Sequence, residues 1–273
     1  MIQSKSYGLQ NETRQYLRRL YAYGRELAPT DVADIDNFVK GLKQLNLWQS
    51  SICFLMRSQH NLGTGNTILS LGGEQNVNGA LVNSPTWGQN GITFSGTNYI
   101  TAFLRKQIQT SEISIASVAN STTMAIQNGY PYQLSISTNS YNQNGHGFSI
   151  FSNGTSGNTW SIENIQNAVS YSTTSAINNQ TSRFNGGRLS QSGFQNYLNG
   201  TITTNTTVRN NQIFDRIQIC GRWSNNAVQT GIGNFGVGWI GTQSFVMVSL
   251  DYVDFSILQQ LYKTTIGKGL GLP

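Results

Sequence analysis

Four stretches follow one another in the closing third of the chain: Gln195-Asn196-Tyr197-Leu198-Asn199-Gly200-Thr201, Ile217-Gln218-Ile219-Cys220-Gly221-Arg222, Phe235-Gly236-Val237-Gly238-Trp239-Ile240-Gly241 and Ser244-Phe245-Val246-Met247-Val248-Ser249-Leu250. The first is a strand-like run that closes on Asn-Gly, the dipeptide that two-residue hairpin turns favour. The second is an apolar strand stopped by a glycine. The third is glycine-rich and leads into the fourth, a long apolar strand. Asp254 to Lys263 then carries a short helix-like pattern. Strands closed by Gly and Asn turns predict an antiparallel all-β domain.

Upstream, the same pattern recurs from Ser51. Strand-like blocks fall at Ile52 to Leu55, Thr67 to Leu71, Ile92 to Phe94 and Glu112 to Ala119. Tyr132 to Ser137, Gly147 to Phe151, Thr159 to Ile162 and Val169 to Thr173 follow. Their spacing and polar turns predict a two-sheet sandwich. No fixed-period repeat is present, which argues against a propeller or a β-helix.

Residues 11 to 48 read differently. Tyr16, Leu20, Tyr23 and Leu27 share one helical face. Pro29 breaks that pattern, and Thr30-Asp31 is expected to cap a second helix with Val32, Ile35, Val39 and Leu42 on its apolar side. Asp31, Asp34 and Asp36 would favour the positive end of its dipole. The chain thus divides into an N-terminal helical arm, residues 1–30, and a short helix plus sandwich, residues 31–273.

The order of these landmarks resembles the concanavalin A-like, or laminin-G-like, jelly roll found in tailed-bacteriophage virion proteins. Val39-Lys40-Gly41-Leu42-Lys43 with Leu47-Trp48 is similar to the short helix that precedes it there. Gly91-Ile92-Thr93-Phe94-Ser95-Gly96-Thr97-Asn98-Tyr99-Ile100 resembles the strand, Ser-Gly turn and aromatic that come next. The resemblance spans Asp31 to Leu270 and leaves the arm unmatched. It implies a mainly β protein, an antiparallel two-sheet jelly-roll sandwich preceded by two short α-helices, carried on a virion.

Composition narrows the function. Charged residues make up only 10% of the chain and the net charge is +6, but Arg14, Arg18, Arg19 and Arg25 crowd the arm. That is unlike the basic face with interleaved aromatics of a nucleic-acid binder, so no nucleic acid is expected. No run approaches the ~20 apolar residues of a membrane-spanning helix. Met1-Ile2-Gln3-Ser4-Lys5 lacks the apolar core of a signal peptide. The expected route is synthesis in a host cytoplasm and residence in the virion. Cys53 and Cys220 lie in apolar strands, where a thiol behaves as a small hydrophobe; their spacing neither requires nor forbids a disulfide.

Glycan-cleaving enzymes need two carboxylates facing one cleft. After Glu74 the chain has only Glu112, Glu163, Asp215, Asp251 and Asp254, with no acid-x-acid pair on a strand. His60 and His146 are the only histidines and no nucleophile motif accompanies them. No catalytic residue, no metal site and no cofactor are expected.

Two readings remain. The first is a non-enzymatic structural protein of a tailed-phage particle, displayed as a capsid decoration or tail-fibre appendage. Arg14, Arg18, Tyr21 and Arg25 of the arm would bind other virion proteins, and the assembly would be a homo-oligomer, a trimer by analogy. The second is a lectin-like module for a host surface glycan, with Tyr130, Tyr141, Asn142, Trp223, Asn225 and Asn226 as contact loops. Sugar binding by the sandwich separates the two.

Overall fold

The computed structural model describes residues 8–120, 132–138, 146–153, 159–166, 169–176, 183–206, 212–224, 227–229 and 239–272. For several strand residues, including all of those from 169 to 176 and from 222 to 229, only the backbone path is described.

Helices α1 (Asn11–Ala22) and α2 (Pro29–Gln44) come first. Strands β1 (Ser51–Leu55), β2 (Thr67–Gly73), β3 (Asn78–Val82), β4 (Thr86–Gly88), β5 (Gly91–Ser95) and β6 (Tyr99–Thr110) follow. Next are β7 (Ile113–Asn120), β8 (Tyr132–Ser137), β9 (His146–Asn153), β10 (Thr159–Gln166) and β11 (Val169–Ala176). Then come β12 (Arg183–Ser190), β13 (Gly193–Leu198), β14 (Thr201–Asn205) and β15 (Gln212–Ile219). The hairpin β16 (Arg222–Ser224) and β17 (Ala227–Gln229), β18 (Ile240–Ser249) and helix α3 (Phe255–Thr264) complete the described elements.

Among the described residues every strand pairing is antiparallel. The first sheet runs β14-β13-β12-β7-β18-β1, and the second β11-β10-β9-β8-β15-β6-β3-β2. They are joined where β1 meets β2. β18 is long enough to serve two partners on one edge: Ile240 to Gln243 pair with β5, and Phe245 to Ser249 with β1.

Why the first sheet lies in the middle follows from its strands. Ile52, Phe54, Ile113, Ile115, Val246 and Val248 point between the sheets. The alternate residues Cys53, Leu55, Ala116, Val118, Phe245 and Met247 point the other way, into a second core shared with Tyr16, Leu20, Phe38, Leu42 and Tyr262 of the helices. A strand buried on both faces reads as an unbroken apolar run, as Phe245 to Val248 does. The protein is therefore three layers: helices, first sheet, second sheet. The helices cover the outer face of the first sheet.

The arm ends sooner than its spacing implied. α1 stops at Ala22, and Gly24 turns the chain at φ +75°. Arg25 N–H donates to Leu20 O and Gly24 N–H to Tyr21 O, the paired bonds of a glycine-terminated helix. Tyr16 and Leu20 are fully buried, but Tyr23 is off the helix and 57% exposed. α2 begins at Pro29 itself, a residue suited to the first turn because its missing N–H has no partner there anyway. Neither Thr30 nor Asp31 caps it. Asp31 instead faces His60 at 3.6 Å, Asp34 pairs with Lys268, and Asp36 pairs with Lys40 at 2.9 Å. α3 does follow its sequence signal: Asp254 caps it, accepting from the Ser256 and Ile257 N–H groups at 3.0 and 3.2 Å.

Cys53 and Cys220 are both free and buried. They lie in different cores, on opposite sides of the middle sheet.

Candidate ligand-binding face

Alternation in the second sheet sends apolar side chains inward and leaves a polar set on the far side. Leu134 and Ile136 of β8, Phe148 and Ile150 of β9, and Ile217 and Ile219 of β15 enter the core. Ser135, Ser137, Ser149, Arg216 and Gln218 therefore face away from it, yet all five are buried, and it is Thr101, Phe103, Glu163 and Asp215 beside them that reach the surface. Register aligns one row across five strands, Thr101, Gln218, Ser135, Ser149 and Glu163. The next row holds Phe103, Arg216 and Ser137.

These side chains bond to one another. Ser137 Oγ donates to Gln218 Oε1 at 3.4 Å, and Gln218 Nε2 to Thr101 Oγ1 at 3.4 Å. The Tyr132 hydroxyl donates to Glu163 Oε2 at 3.1 Å, and its ring packs on Phe151 with centroids 5.7 Å apart. The Arg216 guanidinium lies 5.3 Å from the centre of the Phe103 ring, and its Nε and Nη2 donate to Asp215 at 2.5 and 3.1 Å. Phe103 remains 56% exposed. The exposed Phe103 ring, with the partly exposed Asp215, Thr101 and Glu163 around it, makes a surface that can meet both the apolar and the hydroxyl groups of a ligand, while the buried Gln218 and serines hold the strands beneath it.

A covering segment borders the face. Ser135 Oγ donates to Gly221 O at 3.1 Å, and the following strand β16 lies against β8.

Beneath it a buried polar network ties the two sheets together. Asn185 Nδ2 donates to Gln133 Oε1 at 2.9 Å, Gln133 Nε2 to Ser117 Oγ at 2.8 Å, and Ser117 Oγ to Gln243 Oε1 at 2.7 Å. Gln243 Nε2 closes the loop on Gln133 O at 3.1 Å. Inside a low-dielectric core such a network fixes one alignment, because slipping it leaves polar groups unpaired. Its effect here is to lock β8, the central strand of the polar face, against β7, β12 and β18. Arg183 is buried in β12 near the network, and desolvation lowers its pKa to about 10.

The sequence-selected residues fall in three groups. Tyr130, Tyr141, Asn142, Asn225 and Asn226 lie outside the described residues. Trp223 is on β16, opposite Val228, which sets its strand beside the polar face. Arg14, Arg18 and Tyr21 form one stripe on α1, with Arg18 and Tyr21 exposed and Arg14 partly so. Arg25 leaves that stripe: beyond the helix, it donates to Asn61 O at 3.3 Å and Ser58 O at 3.0 Å. Arg19 also turns inward, to the carbonyls of Ser70 and Leu71. Two of the arm's arginines are thus engaged in its own fold.

Thr101, Phe103, Arg216 and Gln218 were not selected from the sequence; Glu163 was weighed there only as a catalytic carboxylate, and Tyr132 only as the neighbour of Tyr130. The alternation Ser135-Ile136-Ser137, Phe148-Ser149-Ile150 and Arg216-Ile217-Gln218-Ile219 was the available signal, since it marks a strand face that the core does not use. Among the described residues no cluster of three or more His, Cys, Asp or Glu side chains is placed to hold a metal ion.

No family model matches the sequence, and no curated protein does. Solved structures share its fold. One concerns the dependence of botulinum neurotoxin type C cell entry on two ganglioside molecules; it superposes with a TM-score of 0.57 at 13% identity, over 81% of this chain and 52% of that one. The receptor-binding domain of a botulinum neurotoxin mosaic serotype C/D gives 0.53 at 12% identity, over 80% and 51%. Trypanosoma rangeli sialidase gives 0.53 at 11% identity, over 87% of this chain and 40% of the enzyme. The chain thus spans about half or less of the proteins it resembles. The shared part is a β-sandwich.

Proposed function

We propose that the protein is a non-enzymatic, lectin-like recognition module that binds carbohydrate on the polar face of its second sheet. The observation that carries this reading is the exposed Phe103 ring set against the Arg216–Asp215 pair, with Thr101 and Glu163 partly exposed at the two ends of the polar row. The kinship in fold with receptor-binding toxin domains supports it. The reading as non-enzymatic rests on the sequence, in which no strand carries an acid-x-acid pair to face one cleft. The test is a glycan array read with the full chain and with Phe103→Ala and Arg216→Ala. Specific binding that weakens in both variants is the expected result. A blank array for the native chain, or turnover of a bound glycan, rejects the proposal.

The setting on a tailed-phage particle belongs to the same proposal and rests on the order of sequence landmarks from Asp31 to Leu270. Its attachment would use Arg14, Arg18 and Tyr21, which point away from the core along α1. Changing all three to Ala should release the protein from particles without lowering its unfolding midpoint. Normal incorporation of that variant would place the attachment elsewhere.

A further inference from the structure

On the helix side of the first sheet, a second polar and aromatic surface lies open just before α3 begins. The chain leaves β18 and presents Tyr252 with 51% of its surface exposed. Its backbone is fixed: Tyr252 N–H donates to Asp251 Oδ1 at 2.7 Å, and the Asp251 carbonyl accepts from Ser114 Oγ at 3.0 Å. Its ring is fixed as well. The Arg188 guanidinium lies 4.1 Å from the ring centre and is itself held by Glu112, whose Oε1 accepts from Nε at 3.0 Å and from Nη2 at 2.9 Å. Among the described residues Glu112 Oε2 has no hydrogen-bond partner.

Register extends this cluster across the sheet. Arg188 of β12 stands opposite Gln195 of β13, and Gln195 opposite Thr204 of β14. One row along, α3 covers the sheet: Phe255 presses on Gly186, and Tyr197 donates to Gln259 Oε1 at 2.7 Å. The helix begins at Phe255, so the row of Arg188, Gln195 and Thr204 is left beside it, with Gln195 partly exposed and Thr204 exposed.

The guanidinium and the Glu112 carboxylate offset each other, and the exposed Asp251 carboxylate beside the ring adds a negative charge that disfavours an anionic sugar. What it offers a ligand is an aromatic ring of fixed orientation, surrounded by an amide, a hydroxyl, a carboxylate oxygen and the remaining guanidinium N–H groups. A hexopyranose matches that set: one face of C–H groups for the ring, and hydroxyls that both donate and accept. We propose that Tyr252, Arg188, Glu112 and Gln195 form a second carbohydrate subsite, which takes an uncharged hexopyranose residue stacked on Tyr252. This subsite rests on the reading of the protein as a glycan binder and gives that reading a second contact point and a sugar class.

The experiment is saturation-transfer NMR on the full chain with lactose, maltose and sialyllactose as probes, run on the native protein, Tyr252→Ala, Tyr252→Phe, Gln195→Ala and Phe103→Ala. Thermal unfolding of each variant controls for fold. The expected result is that lactose or maltose binds, and that Tyr252→Ala weakens it about ten-fold or more, the equivalent of about 1.4 kcal/mol. Tyr252→Phe should retain binding, and Gln195→Ala should weaken it less than Tyr252→Ala. If the sugars bind and only Phe103→Ala affects them, the Tyr252 subsite is rejected while the glycan reading stands. Binding confined to sialyllactose overturns the uncharged class. No binding of any probe, together with a blank array, removes both.

Discussion

His60 shows how one buried side chain can set a pH dependence. It sits under α1 and α2, almost fully buried, with its carbonyl accepting from the Tyr16 hydroxyl at 2.8 Å. Burial, and then the nearby Arg57 guanidinium, depress its pKa from 6.5 to about 3. Asp31, 3.6 Å away, pulls in the opposite direction, and desolvation outweighs it. The folded pKa thus lies below the unfolded one. Above about pH 6.5 the ring is neutral in both states and its contribution to stability is fully present. Between about 6.5 and about 3 only the unfolded chain takes the proton, so stability falls with pH, by up to about 1.4 kcal/mol per unit. Denaturation midpoints measured from pH 8 to 4 should therefore decline, and His60→Gln should flatten the decline. An unchanged slope in that variant would assign the acid sensitivity to another group. Nothing in the sequence around His60 gives this away, because its environment comes from α1, some forty residues upstream.

At the scale of elements, glycines decided where local reading succeeded. In β12 the pair Gly186-Gly187 looks like a turn, yet it lies mid-strand because both faces are crowded. A Cβ on Gly186 would come within 2.6 Å of the Phe255 ring, and one on Gly187 within 2.8 Å of Ile162. Gly186→Ala should therefore overpack the α3 interface, which typically costs about 1–3 kcal/mol, lowering the urea midpoint with an unchanged slope. Asp254→Ala removes the α3 cap and should cost about 1 kcal/mol; an unchanged midpoint for it would mean that water replaces the cap at no cost. The apolar blocks β1, β7, β8, β15 and β18 were legible because core contacts dictate their composition. β6 was legible only as far as Ile100, because Phe103 to Lys106 lie on an exposed stretch that alternation does not mark. The same physics hid the candidate site. Its serines and glutamine are ordinary polar residues in sequence, and only register brings them into a row. For α1, the spacing of Tyr16 and Leu20 was read correctly, but the period was carried past Gly24, where the helix ends.

The whole molecule is knit from both ends of the chain, and this changes what its N-terminal segment is expected to do. Helical spacing set off residues 1–30 as an arm beside the sandwich. In the structure Tyr16 and Leu20 are fully buried in the helix-side core. Arg19 and Arg25 hold the carbonyls of Ser70, Leu71, Ser58 and Asn61. The same layer is fastened to the C-terminal segment, where Arg57 Nη1 donates to Ile266 O at 2.8 Å and Lys268 O at 3.0 Å, and Lys268 pairs with Asp34. Each large apolar side chain withdrawn from this core forfeits about 1.5–3 kcal/mol of burial. Losing two of them, with the arginine bonds, removes a large part of the about 5–15 kcal/mol that stabilises a typical domain. A chain beginning at residue 29 should therefore bind a hydrophobic dye and unfold at a much lower temperature, or without a cooperative transition. Arg14→Ala with Arg18→Ala, on the outer side of the same helix, should stay within about 0.5 kcal/mol of the native stability. Both are read by calorimetry. A shortened chain that unfolds cooperatively at the native midpoint would show that α1 merely rests on the core, and would return it to the role of a free arm.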